Sequence, residues 1–191
     1  MATEPARHRF SLEQYERMVE TGVLLEDDRV ELIEGEIVEM TPIDPSHSTV
    51  VHLLARRFFD LGDRAVVRIQ DAVRVRPDSE PEPDLVVARP PYQRYLRRHP
   101  EPPDILLIVE VARTSVDSDR GVKVPLYGRH GVPETWLADI TSGRFEIYRE
   151  PTPDGYAQVD LVGRDGIVVP VSFDDLRIAV DDVLPSVGTA R

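Results

Sequence analysis

One stretch decides the fold of this chain: Asp104-Ile-Leu-Leu-Ile-Val-Glu110-Val-Ala112. From Ile105 onward every residue of the stretch except Glu110 is apolar. A continuous run of β-branched and aliphatic residues predicts a buried strand, where an unpaired carboxylate is strongly disfavoured. Glu110 is therefore expected to have a cationic partner.

A second, shorter stretch repeats this pattern: Pro83-Asp84-Leu-Val-Val-Ala88, in which an acid heads another apolar strand. Two acids carried by neighbouring strands suggest a site for a hard metal ion, which prefers oxygen ligands. Each acid also has an ordinary explanation. Asp84 could be a turn acid after Pro83, and Glu110 a strand-end acid paired with a surface arginine.

Composition favours a single large domain over residues 1–191, because 41% of the chain is hydrophobic. There is no uninterrupted apolar run of about 18 residues, and the N-terminal residues lack the apolar stretch of a secretory signal. We therefore expect a soluble, cytoplasmic protein without membrane association. The chain has no cysteine, so any bound metal must be held by oxygen or imidazole.

The charge of the chain argues against nucleic acid as a partner without excluding it. The formal net charge is −12 and the pI is near 4.8, whereas phosphate binding normally relies on a basic surface. Basic residues nevertheless cluster locally, and these clusters are either phosphate contacts or solvated surface charge. The clusters are Arg94, Arg97, Arg98 and His99; Arg56 and Arg57; and Arg120, Lys123 and Arg129.

The hydrophobic periodicity predicts a mixed α/β (α+β) domain. Its predicted N-terminal part is a helix over 11–21 opened by a capping box at Ser11, followed by a β-hairpin over 30–40 that reverses at Glu34-Gly35-Glu36. A helix over 46–61, capped by Ser46, comes next. A further helix, placed by Pro125, is expected to begin near Gly121 and to end near Gly131. The predicted strands are 65–70, 72–76, 84–88, 105–112, 134–140, 144–148, 156–162 and 167–171, the last four forming a β-rich C-terminal part.

Three residues supply what hydrolysis of a phosphodiester requires. The reaction needs acids that hold a divalent cation, and a positive charge near the developing negative charge. Asp84 and Glu110 are the acids, and Lys123 is the positive charge, about one helical turn into the element after the Glu110 strand. Mg²⁺ needs few carboxylates, because water and substrate oxygens complete its shell.

The order of Pro83-Asp84, then Glu110 on an apolar strand, then a helix and another strand resembles the PD-(D/E)XK nuclease superfamily. More closely, the chain is similar to the Uma family of restriction endonucleases. The similarity covers most of residues 8 to 185. The matching segments are Asp28-Arg-Val-Glu31-Leu-Ile-Glu-Gly-Glu-Ile-Val, the region of His47, Ser79-Glu-Pro-Glu-Pro-Asp84, Val109-Glu-Val, Asp119-Arg-Gly-Val-Lys123-Val-Pro-Leu-Tyr127 and Gly131-Val-Pro-Glu-Thr-Trp136-Leu-Ala-Asp139.

The resemblance implies a restriction-endonuclease-like core, in which a mixed central sheet is flanked by helices and Asp84 and Glu110 bind Mg²⁺ at strand ends. Mn²⁺ is the expected substitute. One position departs from the superfamily signature, which has a lysine two residues after the second acid, where this chain has Ala112. Lys123 on the following helix is the proposed replacement.

Glu31 and His47 are secondary candidates for the catalytic site. Glu31 lies on a hairpin that could border the site, and His47 at a helix start could ligate metal, bind phosphate or transfer a proton. An exposed hairpin glutamate and a capping-region histidine are the ordinary alternatives. Gln70 is a weaker candidate for a contact with the site. Asp119 is interpreted as a helix-start acid, and Tyr127 and Trp136 as core residues.

The leading interpretation is a Mg²⁺-dependent endonuclease that cleaves DNA, with Asp84, Glu110, Lys123, Glu31 and His47 as catalytic residues. A homodimer is expected where both strands are cut together, because that requires two active sites. Two alternatives stay open. The first alternative is a catalytically inactive nucleic-acid-binding or interaction module on the same fold. The second is a hydrolase of a non-nucleic phosphate ester.

Overall fold

The computed structural model describes residues 7–25 and 27–184. The N-terminal part contains α1 (Leu12–Glu20), the hairpin β1 (Val30–Ile33) and β2 (Glu36–Glu39), and α2 (Pro45–Phe59). The strands that follow are β3 (Val66–Ile69), β4 (Leu85–Ala88), β5 (Ile105–Ala112), β6 (Glu134–Asp139), β7 (Arg144–Thr152), β8 (Gly155–Val162), β9 (Ile167–Val168) and β10 (Ile178–Ala179). The later helices are α3 (Val116–Ser118), α4 (Val124–Arg129) and α5 (Val180–Val183). In the described part of the chain, no helix is long and apolar enough to cross a membrane.

Six strands form a central mixed sheet in the order β3-β4-β5-β6-β7-β8. β5 and β6 are parallel, and the other neighbours are antiparallel. One face of the sheet packs against α2 and the C-terminal segment, with Phe58 and Trp136 in contact. On the other face, Leu126 and Tyr127 of α4 pack against β4 and β5. The predicted mixed sheet flanked by helices is confirmed.

The N-terminal helices begin where short polar side chains satisfy free backbone amides. At α1, Ser11 and Gln14 form the predicted capping box. At α2, Asp44 is the cap, and its carboxylate accepts from the amides of Ser46 and His47. The prediction that Ser46 caps this helix is wrong by two residues, because Pro45 occupies the first helical position and needs no hydrogen-bond partner for its nitrogen.

The helix after β5 begins earlier than predicted. It starts at Val116 rather than near Gly121, and it contains a π-helical turn over Asp119–Lys123. The amide of Val124 donates to the carbonyl of Asp119, five residues earlier. A proline clashes with the carbonyl four positions before it, and the wider turn lets the chain pass Pro125 without ending the helix.

The predicted strand over 72–76 does not join the sheet. Val73 and Val75 are buried, as the pattern of alternating apolar residues suggested. Their amides donate to the carbonyls of Pro81 and Ser79, which lie in the following loop. The segment folds back on this proline-rich loop, where residues without amide protons cannot extend a ladder.

Candidate active site

Asp84 and Glu110 lie side by side at the ends of two paired strands. Leu85 pairs with Val109 in the antiparallel register of β4 and β5, so the next position places Asp84 opposite Glu110. Directly opposed residues share one face of the sheet, with Cβ atoms about 5 Å apart. Both acids therefore point toward the side of the sheet that α4 covers.

Three donors hold the carboxylate of Asp84. The amide of Val111 donates to Oδ2 at 2.8 Å, and the side-chain amide of Gln70 lies 3.4 Å from Oδ1. His47, in the first turn of α2, places Nε2 at 3.1 Å from both carboxylate oxygens. Burial lowers the pKa of His47, but the hydrogen bond and charge of Asp84 outweigh it and raise that pKa above its ordinary value.

Glu110 is 3% exposed and has two partners on the helix that follows its strand. The hydroxyl of Tyr127 donates to Oε1 at 2.7 Å, and Nζ of Lys123 lies 3.8 Å from the same oxygen. Burial raises the pKa of Glu110 well above its ordinary value, the charges of Asp119 and Asp84 raise it further, and the charge of Lys123 opposes the shift. The expected cationic partner of Glu110 is thus Lys123.

Lys123 also contacts the N-terminal hairpin. Its Nζ lies 2.9 Å from Oε2 of Glu31, which accepts a second hydrogen bond from the amide of Glu82 at 3.2 Å. Burial opposes protonation of Lys123, but the charges of Glu110 and Glu31 raise its pKa above the ordinary value. Lys123 therefore remains an ammonium group at neutral pH, and it joins the hairpin to the central sheet.

All five predicted site residues line one cavity of about 520 Å³. The hairpin and the segment after it form one wall. The acids come from Asp84, directly before β4, and from Glu110 in β5, and the helical segment after β5 contributes Lys123. The lining residues are mostly polar and include both predicted acids with Glu31, His47 and Lys123. The structure brings the whole predicted set together.

The donor set suits a hard divalent cation. Four carboxylates that line the cavity are each at most 9% exposed: Glu31, Asp84, Glu110 and Asp119. Two permanent cations, Lys123 and Arg29, line the same cavity, so negative charge is in excess there. Within residues 7–25 and 27–184, no three carboxylate or imidazole side chains converge closely enough to make a ready-formed metal site. Mg²⁺ commonly takes one or two carboxylates and keeps several waters, and the pair of Asp84 and Glu110 fits that requirement.

Three side chains around the cavity have polar roles that were not predicted from their sequence pattern. Tyr127 is a core residue as predicted, but its hydroxyl also binds Glu110. Asp119 is buried, accepts a 2.7 Å hydrogen bond from Ser115, and has a pKa raised by burial. Glu82 lines the cavity, and burial together with the charge of Glu31 raises its pKa. The available signals were the four-residue spacing of Lys123 and Tyr127, and the alternation of Glu82 with Asp84.

The arginine cluster near Asp84 in sequence does not face the cavity. It follows the far end of β4, and Arg94 and Arg98 bind the buried carboxylate of Asp104 at 3.2 and 2.6 Å. This part of the cluster holds the loop between β4 and β5 in place.

The chain is similar to known proteins in its fold and in its sequence family. A crystal structure described as that of "a putative nuclease belonging to DUF820 from Anabaena variabilis" is similar over 92% of this chain and 97% of the other. The TM-score is 0.72 and the sequence identity is 17%, so the two chains share a fold. No curated protein matches the sequence. The Uma2 family model, described as "Putative restriction endonuclease", matches residues 12–181. The chain belongs to the Uma2 family.

Proposed function

We propose that this protein is a metal-dependent endonuclease that hydrolyses DNA phosphodiester bonds at the cavity between β4, β5 and the hairpin. One observation carries the proposal: Asp84 and Glu110 lie side by side, and the ammonium group of Lys123 is 3.8 Å from Glu110. Membership of the Uma2 family and the fold shared with a protein described as "a putative nuclease" support it. The activity is proposed to reside in a single domain.

Asp84 and Glu110 are the residues that would hold the cation, which we propose is Mg²⁺, with Mn²⁺ as a substitute. When bound, such a cation supplies polarisation of the phosphate and a lowered pKa for an attacking water. The protein orients its own ligands beforehand. Asp84 is fixed by Val111 and His47, and Glu110 is fixed by Tyr127.

Lys123 takes the part of the lysine that the superfamily signature places at the position of Ala112. Its ammonium group reaches Glu110 from the following helix instead of from the strand. There it orients the water and offsets the negative charge that develops on the phosphate. Glu31 assists by holding Nζ at 2.9 Å, and His47 assists by holding the carboxylate of Asp84.

A non-nucleic phosphate ester is the second candidate substrate, because the cavity is rich in carboxylates and the chain carries a net charge of −12. Such a surface tolerates a small substrate better than a polyanion. For cleavage of both strands of duplex DNA, we propose that the protein acts as a homodimer, since each copy contributes one active site.

The proposal is tested with purified protein, supercoiled and single-stranded DNA, and Mg²⁺, Mn²⁺ or EDTA at low salt. Asp84→Ala and Lys123→Ala are compared with Asp154→Ala, which removes an exposed loop carboxylate. We expect cleavage that needs metal, is lost in the first two variants and is retained in the third. Circular dichroism checks that every variant is folded.

Two results would contradict the proposal. Cleavage retained by folded Asp84→Ala would remove this residue from the site. The second result is that the folded wild-type protein cleaves no DNA under any condition. A parallel assay with bis-p-nitrophenyl phosphate then distinguishes the two remaining interpretations. Metal-dependent turnover of that ester would indicate another phosphodiesterase, and no turnover would indicate a binding module.

A further inference from the structure

The strand β8 forms one edge of the central sheet. Among residues 7–25 and 27–184, β8 pairs with β7 along one side and has no strand on the other, so this edge is open there. Within the described ranges, no backbone hydrogen bond outside the sheet involves residues 156–162. An eight-residue edge strand of this kind presents a row of free amides and carbonyls, which is a template for pairing with another chain.

The side chains of β8 do not protect this edge. Ala157, Val159 and Leu161 alternate along one face, where Val159 is 49% and Leu161 is 62% exposed. Proteins commonly protect an edge strand with lysine, proline or a bulge, and β8 contains neither lysine nor proline. Its single charge, Asp160, already accepts from Gln158 at 2.6 Å and lies 3.5 Å from Arg149.

We propose that β8 is the interface between two copies of this chain. The two β8 strands pair antiparallel across a two-fold axis at Val159, which joins both sheets into one of twelve strands. The proposal adds an interface to the homodimer proposed above, and it does not depend on the endonuclease activity. It follows from the open edge and from the sequence of β8, which is complementary to itself in this register.

In such an antiparallel pair, the numbers of any two opposite residues add to the same sum. The sum is 318 when Val159 lies opposite Val159 of the partner subunit. Gln158 then lies opposite Asp160 of the partner subunit, where the second hydrogen of its side-chain amide meets a carboxylate. Ala157 lies opposite Leu161 of the partner subunit, so the exposed apolar side chains of both strands cover each other. Apolar and hydrogen-bonded cross-strand pairs both stabilise a sheet.

The neighbouring registers are worse for identifiable reasons. An axis at Asp160 places two carboxylates directly opposite, which is destabilising. If the axis lies at Leu161, Val159 faces Gly163 and Asp160 faces Val162, so the hydrogen bonds of Gln158 are lost. Of the registers with an axis at Val159, Asp160 or Leu161, the Val159 register is the self-complementary one, so a second copy of this chain fits this edge.

The pairing leaves the cavity accessible. β8 is three strands away from β5, which carries Glu110, and neighbouring strands are about 4.8 Å apart. Both active sites of the dimer therefore remain open to substrate.

Engineered cysteines test the register, because the chain has no cysteine of its own. In an antiparallel pair, opposed Cα atoms are about 4.5 to 5.5 Å apart, which is within the range of a disulfide. Val159→Cys should therefore form a dimer of cross-linked chains under mild oxidation. Ala157→Cys is the matched control, since its two copies would lie about 13 Å apart along the strands. The double variant Ala157→Cys with Leu161→Cys should cross-link again.

The mass in solution gives an independent test. Light scattering should find twice the 21.6 kDa chain mass for the wild-type protein, and monomer for Val159→Glu, which opposes two carboxylates. Circular dichroism of this variant separates dissociation from unfolding. Three results would overturn the proposal: a monomeric wild-type protein, a dimer that persists in folded Val159→Glu, or equal cross-linking of the Val159→Cys and Ala157→Cys variants.

Discussion

The hydroxyl of Tyr127 donates a 2.7 Å hydrogen bond to Oε1 of Glu110 where both side chains are buried. Nζ of Lys123 is 3.8 Å from the same oxygen, so one helix supplies both partners of this carboxylate. Burial raises the pKa of Glu110 and of Tyr127. An acid at this depth therefore depends on these two donors for its ionised form and its orientation.

Replacing Tyr127 by Phe should weaken metal binding and activity while keeping the fold. The ring still fills its place in the core, but Glu110 loses a donor that fixes its carboxylate. Loss of such a supporting partner typically costs about 10- to 100-fold in metal affinity or activity. The measurements are Mn²⁺ titration by calorimetry, and kcat and KM for DNA cleavage.

Tyr95→Phe is the matched control for this change. Tyr95 is also buried, and its hydroxyl donates at 2.7 Å to the carbonyl of Arg89, outside the cavity. Both variants should lose about 1 kcal/mol of unfolding free energy, and only Tyr127→Phe should lose metal affinity. Equal metal affinity in the two variants would show that Tyr127 acts through stability alone.

Replacing Lys123 by Met should destabilise the protein strongly. Glu31 and Glu110 would keep their burial but lose their common cation, and breaking a buried ion pair costs about 3 to 5 kcal/mol. Urea denaturation measures the loss. Adding Glu31→Gln to Lys123→Met should recover part of the lost unfolding free energy. One of the two buried carboxylates that lack a cationic partner is then removed.

The exposed pair of Arg76 and Glu101, with a 3.2 Å contact, provides the control. Arg76→Met should change the unfolding free energy by less than about 1 kcal/mol. A loss of similar size in Arg76→Met and Lys123→Met would mean that burial does not govern the strength of the Lys123 contacts.

Much of the fold could be predicted from the sequence, because hydrophobic periodicity and turn-forming residues indicate local structure directly. The run around Glu110 predicted β5, and the turn at Gly35 predicted the hairpin. The start of the helix carrying Lys123 was wrong by several residues, because a π-helical turn has no pattern of its own. The strand predicted over 72–76 failed because alternation of apolar residues reports burial and not the partner of the backbone.

The candidate site could be predicted where a charged side chain occurs within an apolar segment. A carboxylate in an apolar strand requires a partner, which singled out Glu110 and then Lys123. Tyr127 gives no such signal, since a tyrosine in a helix fits a core without a polar role. Its contact with Glu110 depends on how α4 lies across β5, a tertiary relationship that a single sequence does not display.

Glu146 should make stability depend on acid pH. Arg120 holds its carboxylate with two hydrogen bonds of 2.8 and 3.0 Å, which lower the pKa of Glu146 to about 2, against the opposing effect of burial. The folded state then binds fewer protons than the unfolded state below the ordinary value of 4.5. The contribution of Glu146 is present above that pH, and it is lost as the pH falls toward about 2.

Glu146→Gln isolates this contribution. Near neutral pH the variant should be less stable by about 2 kcal/mol, and the difference from the wild-type protein should shrink as the pH falls from 4.5 toward 2. Urea denaturation across this range measures it, with Glu20→Gln, on an exposed helix end, as the control. A difference that stays constant with pH would contradict the proposed ionic origin.

Gly128 should tolerate no side chain, because α4 crosses the first residue of β8 at that point. A Cβ atom added to Gly128 would lie 2.4 Å from the carbonyl oxygen of Gly155, which is backbone and cannot rotate away. Gly128→Ala should therefore cost about 1 to 3 kcal/mol of unfolding free energy, the usual cost of overpacking. Gly121→Ala is the control, since no atom of the described part of the chain lies within 4 Å of its Cβ position. Alanine in a helical segment should stabilise by roughly 0.5 to 1 kcal/mol. Thermal unfolding of both variants compares them, and an unchanged stability of Gly128→Ala would mean that α4 can move away from the start of β8. Such movement would also carry Tyr127, so a stable Gly128→Ala variant should show altered metal affinity at Glu110.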